Sequence, residues 1–66
     1  MLSARNQFKG AIKELKLGNV MAEVVVSVGG LEIAAAITRA SAERLGLKQG
    51  DTVTAVVKAT DVMIDK

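Results

Sequence analysis

The sequence predicts a mainly β fold: a small, partly open barrel of five strands carrying one short helix. Three observations lead there. Val20 to Val28 alternates with Val20, Ala22, Val24, Val26 and Val28 on one face, the period of a half-buried strand. Gly29-Gly30 follows as a two-residue hairpin signal, and Leu31, Ile33, Ala35 and Ile37 resume the alternation beyond it. Strand-like segments on either side of one short helical stretch fill the rest of the 66 residues, leaving no linker, low-complexity segment or internal repeat, so residues 1–66 read as a single domain.

In chain order, Phe8 to Leu15 mixes Phe8, Ile12 and Leu15 with Lys9, Lys13 and Glu14, and Gly10 interrupts it as a bulge or a close backbone approach would. It reads as a first, bent strand. Lys16-Leu17-Gly18-Asn19 supplies a turn, because Gly18 and Asn19 tolerate positive φ. After the central hairpin, Arg39 to Leu45 is rich in Ala, Glu and Arg and is followed by Gly46, a helix of one or two turns with its stop signal. Gln49-Gly50-Asp51 turns the chain, and Val53, Ala55 and Val57 alternate in the next strand. Val62-Met63-Ile64 is expected to close the sheet as the fifth strand. In so short a chain, this order makes a barrel of the oligonucleotide/oligosaccharide-binding type the economical architecture.

A domain of this size buries only about 60% of its unfolded surface and usually needs further support. Cys and His are absent, which removes disulfides and the ligands of zinc, copper or iron-sulfur centres. Oligomerisation is the remaining route. The outward strand positions agree, since they include Met21, Val25, Ala34, Ala36, Val56 and Met63 where a solvated face would be polar. No membrane span or secretory core is expected, which places the chain in the cytoplasm. The net charge of +2 is dispersed, and Phe8 is the one aromatic residue, so the stacking platforms that hold single-stranded nucleic acid are missing.

Two motifs carry chemistry. Ser3-Ala4-Arg5-Asn6-Gln7 sets a hydroxyl and a guanidinium before the first strand, and Lys58-Ala59-Thr60-Asp61-Val62 places a second cation and hydroxyl after the fourth. Each reads as part of a cradle for a small, doubly charged anion. Taken singly, a terminal serine, a helix-starting threonine or a solvated lysine is ordinary.

Together with Gly10, Ala22-Glu23-Val24, Ile37-Thr38, Leu45-Gly46-Leu47 and Gly50, these motifs resemble the molbindin or Mop family of molybdate-binding proteins, over essentially the whole chain. The resemblance implies a five-stranded barrel whose first strand is exchanged between subunits, dimers gathered three at a time into a homohexamer, and oxyanions at the subunit interfaces. It implies a donor set of Ser3, the Ala4 N–H, Arg5, Thr38, Lys58 and Ala59, the last offering only its N–H where some relatives have serine. The expected ligand is molybdate, with tungstate close behind, and no cation or organic cofactor. The expected task is intracellular molybdenum storage or homeostasis.

Such a site holds donors alone, which suits a tetrahedral dianion with no proton and penalises monohydrogen phosphate, whose proton needs an acceptor. Without a nucleophile and base the anion is bound rather than transformed, so no enzymatic activity is expected. Two rival readings remain. One is a swapped-hairpin DNA-binding regulator of the antitoxin or transition-state type, which shares Leu45-Gly46-Leu47-Lys48 before Gly50-Asp51 but leaves both end motifs unexplained. The other is an assembly module without ligand.

Overall fold

The computed structural model describes residues 5–66. Its elements run β1 (Asn6–Leu17), β2 (Met21–Val28), β3 (Leu31–Thr38), α1 (Arg39–Arg44), β4 (Thr52–Val57) and a 3₁₀ turn at Ala59–Asp61. The strands form one antiparallel sheet in the order β3-β2-β1-β4.

β2 is the strand whose alternation is cleanest, and it supplies most of the core. Ala22, Val24 and Val26 are buried, and Ile12 of β1 packs with the two valines, flanked by Leu15, Val28, Ile37, Leu47 and Val53. Val20 departs from the expected alternation. It precedes β2 and is 72% exposed, because its carbonyl accepts the N–H of Arg39 at 2.7 Å and so belongs to the junction with α1. The Gly29-Gly30 turn closes β2 onto β3 in the register Val28↔Leu31.

β1 is longer than the sequence pattern indicates, since Lys16 and Leu17 extend the ladder with β2 and the turn begins only at Gly18. Its two halves pair with different neighbours. Asn6 to Ala11 lie along β4, and Ala11 to Leu17 lie along β2, with a register shift between Ile12 and Glu14 that makes Lys13 the extra residue of a bulge. Gly10 plays the second role open to it, a close approach. A Cβ there would stand 2.2 Å from the Ser27 carbonyl oxygen and 2.8 Å from Val28 Cγ2, so only glycine lets β1 cross the end of β2.

The expected helix forms, capped by Thr38 and closed by Gly46 at φ 62°, and its own Ala42 is buried. The expected fifth strand does not form within the chain. After β4 the backbone turns through Ala59–Asp61, and residues 62–64 find no ladder partner; Val62, Met63 and Ile64 are 48%, 92% and 90% exposed. The sheet of the described residues is therefore four-stranded and unclosed, with β3 and β4 as its edges.

Replacing Gly10 with alanine forces the crossing apart. The expected loss is about 2 kcal/mol, lowering the Tm of a domain this small by roughly 10 °C, which thermal unfolding followed by far-ultraviolet circular dichroism measures.

Candidate functional site

Of the residues singled out for the oxyanion cradle, Ser3 and Ala4 lie outside the described residues. Arg5, Thr38, Lys58 and Ala59 are described, and all four are exposed.

β1 and β4 end beside two of them. Their ladder runs from Ala11↔Thr52 to Asn6↔Val57, and Arg5 and Lys58 are the residues next beyond that last pair on the two strands. Two cations therefore flank one end of the sheet. Among the described residues no carboxylate reaches either within 4.0 Å. Ala59 follows directly as the first residue of the 3₁₀ turn, with Lys58 extended before it at φ −64° and ψ 139°.

This contrasts with the other cations near carboxylates. Lys13 pairs with Glu32, whose hydrogen bond and charge hold the ammonium above the ordinary lysine value. Lys16 meets Glu14 at 3.2 Å, and Arg39 meets Glu43 at 3.1 Å. A surface cation left without a counter-charge beside a second one is an acceptor of anions by default.

Thr38 is placed elsewhere. It pairs with Met21, whose neighbour Ala22 pairs with Leu17, the far end of β1 from Asn6. The 12-residue β1 separates the two ends by roughly 35 Å of strand, so one chain does not gather Thr38 with Arg5 and Lys58 along its sheet. The Thr38 hydroxyl is also engaged: its oxygen accepts the Ser41 N–H at 3.1 Å, and it donates to Ser41 Oγ at 2.8 Å. Its lone pair caps α1, while its proton is free to rotate to another acceptor without breaking the cap.

Sequence reasoning did not single out the residues around Thr38. Ser41 Oγ also receives Arg44 Nη2 at 3.4 Å, and Arg39 spans from α1 to the β1–β2 turn by donating Nη1 to the Gly18 carbonyl at 3.2 Å. The spacing of Thr38 and Ser41, which is that of an N-cap and its third helical residue, was the available signal.

Comparison with known proteins places the chain in a consistent group. The model of the TOBE domain matches residues 2–64. The molybdenum-pterin-binding protein 2 of Clostridium pasteurianum is 55% identical over 64 residues, covering 96% of this chain and 94% of that protein. Among solved structures, a molybdate-binding protein from Sporomusa ovata superposes with a TM-score of 0.95 at 44% identity, covering 100% of this chain and 98% of that one. The cytoplasmic molybdate-binding protein ModG, in a form with molybdate bound, gives a TM-score of 0.84 at 51% identity over 88% of this chain and 42% of its own.

The capping geometry at α1 has a direct test. Thr38→Ala is expected to destabilise the fold by about 1 kcal/mol in urea unfolding, whereas Thr38→Ser, which keeps the oxygen, stays within a few tenths of the parent.

Proposed function

The chain belongs to the TOBE-domain family and within it to the molbindin or Mop group, and from that membership we propose that it binds molybdate, with tungstate as a close substitute. The observation that supports the reading is that Arg5 and Lys58 flank the Asn6↔Val57 end of the β1–β4 ladder, with no ion pair to a carboxylate among the described residues. Relatives whose names describe molybdenum-pterin and molybdate binding supply the ligand's chemical class.

The guanidinium of Arg5 offers a planar fork, Lys58 a compact charge, and the Ala59 N–H a fixed dipole at the start of the 3₁₀ turn. Ser3 and the Ala4 N–H, next to Arg5 in sequence, extend the same donor set. Each charge-assisted bond contributes about 1.5–3 kcal/mol, so several of them hold a dianion at micromolar concentration or below. All of these groups donate, which favours a fully deprotonated tetrahedral anion over monohydrogen phosphate.

Thr38 enters this set from a second copy, since its own chain holds it at the other end of β1. That arrangement puts the sites at subunit interfaces of a strand-exchanged assembly, a homohexamer built as a trimer of dimers, in which each chain is a single domain completing a five-stranded barrel. The role is storage or homeostasis of molybdenum in the cytoplasm, by binding and without catalysis. Neither nucleic acid nor membrane is a partner. Among the described residues no helix is long and apolar enough to cross a membrane. The DNA-binding alternative leaves the two end motifs, Ser3-Ala4-Arg5 and Lys58-Ala59-Thr60, without a role.

Calorimetric titration with molybdate tests the site. Arg5→Ala and Lys58→Ala are each expected to weaken binding by about 10- to 150-fold while leaving the unliganded assembly formed, and normal binding by both variants refutes the assignment. Saturating molybdate is expected to raise the Tm, since it binds only the folded assembly; no shift at saturation argues against an interface site.

A further inference from the structure

A threonine hydroxyl has a single proton to give, and that of Thr38 is already in use. Its oxygen accepts the Ser41 N–H at 3.1 Å, and its proton goes to Ser41 Oγ at 2.8 Å. Donation to an anion requires the proton to turn away from Ser41. That turn leaves two hydroxyl oxygens 2.8 Å apart with no proton between them, and facing lone pairs repel. The turn is cheap only when Ser41 supplies the missing proton from its own hydroxyl.

Arg44 is placed to make Ser41 do so. Its Nη2 donates to Ser41 Oγ at 3.4 Å. Thr38, Ser41 and Arg44 are spaced by three residues, which stacks them along one side of α1. A guanidinium has donors and no acceptor and keeps its charge throughout the accessible pH range, so Arg44 can only give to Ser41. Ser41 Oγ thus accepts from Arg44 on one side and from Thr38 on the other, and its own proton is idle. Arg44 also differs from its neighbour on the helix. Glu43 holds Arg39 at 3.1 Å, whereas Arg44 has no ion pair to a carboxylate among the described residues.

We propose that Arg44 is a positioning residue for the oxyanion site, holding Ser41 as a donor to Thr38 so that Thr38 can turn its own proton to the anion. The inference rests on the molybdate reading above, in which Thr38 of one copy joins Arg5 and Lys58 of another, and it names the side chains that act behind Thr38. In the liganded state every donor runs the same way: Arg44 Nη2 to Ser41 Oγ, Ser41 to Thr38, and Thr38 to the anion. The bond between the two hydroxyls reverses instead of breaking, and the Ser41 N–H keeps its cap on Thr38 throughout. Each bond in such a chain polarises the next, so a cation at its head strengthens the donation at its far end.

Calorimetric titration of the assembled protein with molybdate tests this on Arg44→Ala, Ser41→Ala and the double variant. Each single variant is expected to bind about 3- to 10-fold more weakly than the parent, the equivalent of one hydrogen bond, and the double variant no more weakly than either. The loss is expected to persist at about 1 M salt, where the Debye length is about 3 Å and a remote charge no longer counts. Parental affinity in Arg44→Ala overturns the inference. So does a loss that adds in full to that of Ser41→Ala or vanishes in high salt, because Arg44 then acts as a charge and not through the hydroxyls. Arg5→Ala, titrated alongside, distinguishes the two levels of failure. Weak binding by Arg5→Ala with parental binding by Arg44→Ala overturns the role of Arg44 alone, whereas a parent protein that takes up no molybdate overturns the site and this inference together.

Discussion

The crossing of β1 over the end of β2 is the constraint on which the remaining structure depends. At Gly10 the two backbones approach so closely that no side chain fits, and three residues later the Lys13 bulge turns the strand. The bend lets one strand serve two neighbours, with β4 along its first half and β2 along its second. A straight β1 would pair with both along its whole length and make a flat sheet exposing its apolar face. The staggered version curls, bringing β3 and β4 towards each other across the core of Ile12, Val24 and Val26.

The curl leaves a seam, and the seam accounts for several otherwise separate observations. Inward residues of β3 and β4 stay half-buried, apolar residues beyond β4 stay exposed, and a 66-residue chain keeps a core of few buried side chains. Each is unfavourable for an isolated monomer of this size.

Much of the fold was legible in the sequence where a local pattern decides the outcome. The Val-rich alternation of β2, the Gly29-Gly30 turn and the helix closed by Gly46 follow from period and backbone chemistry alone. The extension of β1 through Lys16 and Leu17 was not legible, because charged and apolar residues beside a glycine read equally well as a turn, and only pairing with Glu23 and Ala22 makes them strand. The segment Val62-Met63-Ile64 has strand composition but not strand neighbours in its own chain. For the site, residue types pointed to Arg5, Lys58 and Thr38, and the β1–β4 ladder ends at Asn6↔Val57, next to the first two in sequence. What composition could not convey is that Thr38 lies at the opposite end of β1 with its hydroxyl already capping α1.

The uncompensated end of the β1–β4 ladder also has a kinetic side. At the site proposed above, Arg5 and Lys58 carry no ion pair to a carboxylate among the described residues, so their fields would add at the point of entry of a dianion. Capture there would be fast at low ionic strength and would slow as salt shortens the Debye length to about 8 Å under physiological conditions. Release would depend instead on breaking short-range hydrogen bonds that salt barely screens. On that reading, ionic conditions govern how quickly the anion is taken up far more than how long it is held.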